Sequence, residues 1–164
     1  MQFSRPASLL LIIAAVQIVS SCTSKAQDST AANTSNSNAA AVAKAGPQDN
    51  IDEFGLLVRL PSEPEEVAWK ENPDQKKLTA VVRFSPDKAA KMAAEIAKNG
   101  RPTPETVPVE SWFPNELIAQ GELTGESIVK GQSYPAEPYL NLPYTKGKIT
   151  RIENTDYFIL QISS

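Results

Sequence analysis

The chain has 164 residues, with 16 Lys plus Arg, 19 Asp plus Glu, no His, one Cys and a net charge of −3. The length is that of one ordinary domain, and the slight acidity offers no surface for nucleic acid. Without His and with a single Cys, Ser-His-Asp and Cys-His catalysis, zinc sites and intramolecular disulfides are excluded by inventory.

Residues 1–21 carry Arg5 and the free amine, then an apolar run from Leu9 to Val16 that continues through Ile18 and Val19. This is the layout of a secretory signal peptide. About a dozen apolar residues fall short of the roughly 20 that span a bilayer. The run ends in Val19-Ser20-Ser21-Cys22, an aliphatic residue, two small residues and the only Cys of the chain. That tetrapeptide resembles the lipobox of bacterial lipoproteins. The resemblance covers residues 1–22 alone. It implies cleavage before Cys22, a lipid-modified Cys22 bearing acyl chains such as palmitate, and a membrane anchor in the cell envelope. Two or three such chains hold durably, because each buried methylene contributes about 0.8 kcal/mol. Thr23 follows the cysteine where an Asp would resemble an inner-membrane retention signal. In a cell with two membranes the resemblance therefore implies the outer membrane, facing the periplasm.

Beyond Cys22, residues 23–50 hold 8 Ala, 4 Ser, 3 Thr and 4 Asn, no aromatic residue and one aliphatic, Val42. Such a segment buries too little apolar surface to offset its ordering entropy, so 22–50 reads as a lipidated cysteine and disordered tether. Residues 51–164 form a single globular domain, with 13 Lys plus Arg against 17 Asp plus Glu, mixed along the chain.

Within the domain, Phe54, Leu56, Val58 and Leu60 alternate and predict a strand ended by Pro61. Glu66 to Glu71 predicts a short second strand, and Leu78 to Phe84 a third with Leu78, Ala80, Val82 and Phe84 inward. Ser85-Pro86-Asp87 opens a helix, whose apolar stripe is Ala89, Met92, Ala93 and Ile96 and whose stop is Asn99-Gly100. The three Pro of residues 101–110 predict an extended loop. A helical turn is expected over 111–118, ended by Gly121, and a brief strand over 127–130. A terminal hairpin pairs Gly147–Ile152 with Tyr157–Ile162 around a turn at 153–156. The sum is an α+β fold: a small antiparallel sheet with one main helix, a C-terminal β-hairpin and Pro-rich loops.

Functional signals are sparse. Tyr134, Tyr139 and Tyr144 recur every five residues beside Pro, and Trp112-Phe113 adds a second aromatic pair. Pro stiffens the backbone and aromatic rings recognise partners at low entropic cost, so these five residues are the expected interaction surface. They point to a non-enzymatic module binding an envelope protein or peptide, with inhibition of an envelope hydrolase through the loop 101–114 as one form. The alternative is a cell-wall-acting enzyme built on paired carboxylates drawn from Glu110, Glu116, Glu122 and Glu126. No residue pattern specifies a catalytic group, a cofactor or a metal site. A calcium loop and a phosphate-binding P-loop are both missing.

Overall fold

The computed structural model describes residues 46–123 and 125–164. The signal segment, Cys22 and tether residues 23–45 lie outside the described residues. Six strands form one antiparallel sheet: β1 (Glu66–Asn72), β2 (Lys77–Arg83), β3 (Thr103–Pro108), β4 (Ile128–Pro135), β5 (Lys146–Ile152) and β6 (Tyr157–Ser163). Their spatial order is β1-β2-β6-β5-β4-β3. Three helices accompany them: α1 (Ile51–Leu57), α2 (Pro86–Ile96) and α3 (Asn115–Leu123). The α+β class, the antiparallel sheet and the β5–β6 hairpin agree with the sequence reading, but three helices stand where one main helix was expected.

Apolar side chains pack on both faces of the sheet. On the first, Val67, Trp69, Leu78, Ala80, Val82, Ile149, Phe158, Leu160 and Ile162 meet Phe54 of α1 and Ala89, Met92 and Ile96 of α2. On the second, Val81, Val107, Val129, Ile152, Tyr157 and Ile159 meet Leu117 of α3 and Phe113, which precedes that helix. Two-sided burial explains why β2 and β6 carry nearly continuous apolar runs, Ala80-Val81-Val82 and Phe158-Ile159-Leu160, in place of strict alternation.

The strand expected over Phe54–Leu60 is helix α1, and only Val58 pairs in a β-bridge, with Leu140. Asn50 accepts from the Asp52 and Glu53 amides at 2.9 and 3.1 Å, satisfying two free N–H groups of the first turn. Phe54 and Val58, one helical turn apart, are the buried pair, so the apolar alternation coincides with an i, i+4 stripe. Upstream, Gln48 exchanges backbone hydrogen bonds with Trp69 at 2.7 and 2.8 Å, so the folded domain begins before residue 51.

The loop expected over 101–110 is largely strand β3, paired with β4 from Thr103↔Ser133 to Pro108↔Ile128. As the sheet's last strand it needs partners on one side only, and Pro104 and Pro108 share the parity whose nitrogens face away from β4. Proline there also blocks pairing with a further strand. Residues 103–108 are thus held in the sheet and are not a free loop. Gly121 does not stop α3; it is buried inside the helix, where a Cβ would meet Val109 Cγ2 at 2.9 Å. The brief strand at 127–130 extends to Pro135, and Ser85 caps α2 without a side-chain hydrogen bond. No helix among the described residues is long and apolar enough to cross a membrane.

Candidate functional site

The five aromatic residues singled out by sequence divide between the two faces of the sheet. Tyr134, Tyr139 and Tyr144 pack with the first core, and Trp112 and Phe113 with the second. No single surface gathers them. Phe113 and Tyr144 are buried, while Trp112, Tyr134 and Tyr139 are half-buried.

The tyrosines hold the segment 134–144 in place. Tyr144 donates its hydroxyl to Glu71 Oε1 at 2.5 Å, and Asn99 Nδ2 donates to the Tyr139 hydroxyl at 2.7 Å. Asn141 ties the same segment to α1, donating its backbone N–H to Leu57 O at 2.9 Å and Nδ2 to Leu56 O at 3.1 Å. The Arg59 amide donates to Tyr139 O at 2.7 Å. With the rings turned inward, the large apolar side chains left outside on this segment and on α1 are Leu142, 82 % exposed, and Leu56, 74 % exposed. Asn141 joins their backbones, so both leucines stand on one corner of the domain.

The same corner carries a cleft of about 310 Å³ between α1 and residues 58–64, lined by Phe54, Gly55, Val58, Leu60 and Pro64 with Asp52, Arg59 and Glu63 among its polar groups. Gly55 sits inside the helix, where glycine costs roughly 1 kcal/mol against alanine. A Cβ on Gly55 would meet nothing within 4 Å, so no packing in the domain demands a glycine there.

The second face of the sheet is only half covered. Beyond α3 and Trp112, its outer end is polar. Register places Lys70, Thr79, Gln161 and Lys148 in one row across β1, β2, β6 and β5, and Asn72, Lys77, Ser163 and Lys146 in the next. Recesses of about 310 and 270 Å³ open over this strip, and both are lined by Lys77 and Thr79. Lys148 pairs with Glu105 at 2.9 Å, and Trp112 Nε1 donates to Glu110 Oε2 at 2.7 Å. One row further in, Thr150 is fully buried and its hydroxyl has no hydrogen-bond partner.

The carboxylates considered for catalysis serve separate neighbours. Glu110 accepts from Trp112, Glu116 accepts the Tyr157 hydroxyl at 3.3 Å, and Glu122 and Glu126 are exposed around the end of α3. Among the described residues no cluster of acidic side chains could hold a metal. Burial, reinforced by Glu116, pushes the Tyr157 phenol up to about 12, and burial with the Glu71 hydrogen bond raises Tyr144 further still. At the β1–β2 edge, the hydrogen bond from Arg83 holds the Glu66 carboxyl below its usual range.

The raised phenols set an alkaline limit. Unfolded tyrosines ionise near 10, so their contribution to stability is complete below that pH and is lost as pH rises through the folded values. The urea midpoint should fall from pH 10 to 12, and Tyr144→Phe should flatten that decline. An unchanged slope in the variant would show that Tyr144 does not couple folding to pH.

No family model, curated protein or solved structure matches this chain. Sequence reasoning missed both the α1 cleft and the lysine strip. Gly55 within a capped helix was the available signal for the first; the second has no local signal.

Proposed function

We propose that this chain is an extracytoplasmic lipoprotein, anchored through acyl chains on Cys22, whose domain is a non-enzymatic module binding an envelope protein or peptide at the α1 corner. The carrying observation is the cleft over Gly55, flanked on the same corner by two exposed leucines. Its volume lies at the lower end of ligand pockets, enough to take one or two side chains of a partner segment. An open glycine inside a helix is a stability cost with no structural return in the free domain, and it is repaid where another backbone approaches closely. The aromatic residues enter as struts: Tyr139 and Tyr144 fix the segment that presents Leu142. With Thr23 after the cysteine, the anchor belongs in the outer membrane of a two-membrane cell.

Capture from native envelopes tests this with three variants of the full chain. Gly55→Leu adds a side chain at the cleft from a Cβ position with nothing within 4 Å, and Leu142→Asp places a charge on the apolar corner. Both should stay folded by circular dichroism and lose, at least tenfold, a partner that wild type retains. Cys22→Ser should leave the detergent phase yet keep that partner in solution. Recovery of the same proteins by wild type and both corner variants overturns the binding site. Unchanged detergent partitioning of Cys22→Ser overturns the anchor.

A further inference from the structure

We infer that the lysine strip on the second face of the sheet is a second binding site, for an acidic peptide segment lying extended across β1, β2, β6 and β5. The two rows hold eight side chains: four lysines, four neutral hydrogen-bonding groups and no acid. In an acidic domain this is a local reversal of charge. Outside the strip, Arg83 pairs with Glu65 and Glu66, Lys98 pairs with Glu95, and Lys88 donates to the Glu63 carbonyl. Lys70, Lys77 and Lys146 form no ion pair among the described residues, and Lys148 alone has one, with Glu105 at the rim.

Strands pack about 4.8 Å apart, so Lys70 and Lys148, three steps apart in one row, stand roughly 14 Å apart at the backbone. An extended peptide covers the same distance between residues i and i+4, at about 3.4 Å per residue. The strip therefore matches carboxylates spaced as Glu-x-x-x-Glu. Between the lysines, Thr79, Gln161 and Ser163 are half-buried and form a floor of donors and acceptors suited to a peptide backbone. Trp112 and Glu110 line one recess beside Lys70 and Lys77, so the site is recessed and not flat. A flat anionic bilayer fits a recess poorly, and the net negative domain is repelled by it. Arginine, whose fork matches phosphate in two hydrogen bonds, is missing from both rows.

The strip and the α1 corner stand on opposite faces of the sheet, so one can fail without the other. The test titrates a fluorescent hexaglutamate peptide into the full chain in neutral detergent at low salt, with hexaglutamine, tripolyphosphate and phosphatidylglycerol vesicles as comparison ligands. Wild type should bind hexaglutamate, release it as salt rises, and ignore hexaglutamine. Lys77→Gln with Lys148→Gln should weaken binding at least tenfold. Lys91→Gln with Lys98→Gln, on α2 and its following turn across the sheet, should leave it unchanged. No binding of hexaglutamate, or equal loss in both double variants, overturns the site. Tighter binding of tripolyphosphate or vesicles than of the peptide reassigns the strip to phosphate and overturns the peptide reading.

Discussion

Phe158→Ala should cost about 4 kcal/mol and lower the melting temperature by about 15 °C, the largest single-residue loss expected in the domain. Phe158 is fully buried on β6, in the middle of the sheet, and meets Phe84 edge-on with ring centroids 5.4 Å apart. Truncation removes the transfer term of a whole ring, leaves a void, and forfeits the aromatic pair, itself worth about 0.5–1.5 kcal/mol. β6 is hydrogen-bonded to β2 on one side and β5 on the other, so the backbone around the void has little freedom to collapse. Leu123→Ala is the matched control. That leucine is 90 % exposed, and its loss should stay within about 0.5 kcal/mol. Urea unfolding of the three proteins decides the point, and a Phe158→Ala cost below 2 kcal/mol would show that α2 moves in to fill the space.

Gly131→Ala is the second large effect, a loss of about 3 kcal/mol from the addition of one methyl group. A Cβ at Gly131 would overlap the Arg151 carbonyl oxygen of the neighbouring strand and approach Thr150 Cγ2 to 2.8 Å. The obstacle is backbone, which cannot rotate away, so β4 and β5 must separate. The same bare position has a functional consequence. Gly131 lies between Glu105 on β3 and Ile152 on β5 in the register, and Glu105 pairs with Lys148 of β5 across β4, so separating β4 from β5 draws that pair apart. The variant should therefore lose both stability and the ordered end of the lysine strip. A destabilisation under 1 kcal/mol would show that the β4–β5 pairing opens at little cost.

These two sites differ in how far the sequence foretells them. Phe158 lies in a β-branched and aromatic run after a turn at 153–156, where Asn154 adopts φ 59°, and the hairpin is legible from those residues alone. Gly131 lies in a stretch with weak strand preference, and β4 reaches eight residues because β3 and β5 pair with it on both sides. Pairing partners decide such strands, and partners are remote in sequence.

The candidate sites follow the same rule. Segment 134–144 reads as a recognition surface because three Tyr and three Pro are conspicuous there, yet the tyrosines face a core that begins with Phe54, some 80 residues earlier. What remains outside is Leu142, which has no local signal. α1 escaped the pattern because seven residues fit a period of two and a period of 3.6 about equally well, and its evidence lay in the Asn50 cap.

By itself the sequence determined the chemical inventory, the α+β class, helix α2, strands β1 and β2, and the terminal hairpin. Each rests on local periodicity, capping and turn chemistry, which act over a few residues. Only the tertiary structure decided that Pro104 and Pro108 belong to an edge strand, that the aromatics divide between two cores, and that lysines 70, 77, 146 and 148 share a face. The physical reason is the strand order β1-β2-β6-β5. It brings residues nearly 80 positions apart into one row about 14 Å long, and that order is selected by the packing of both sheet faces at once.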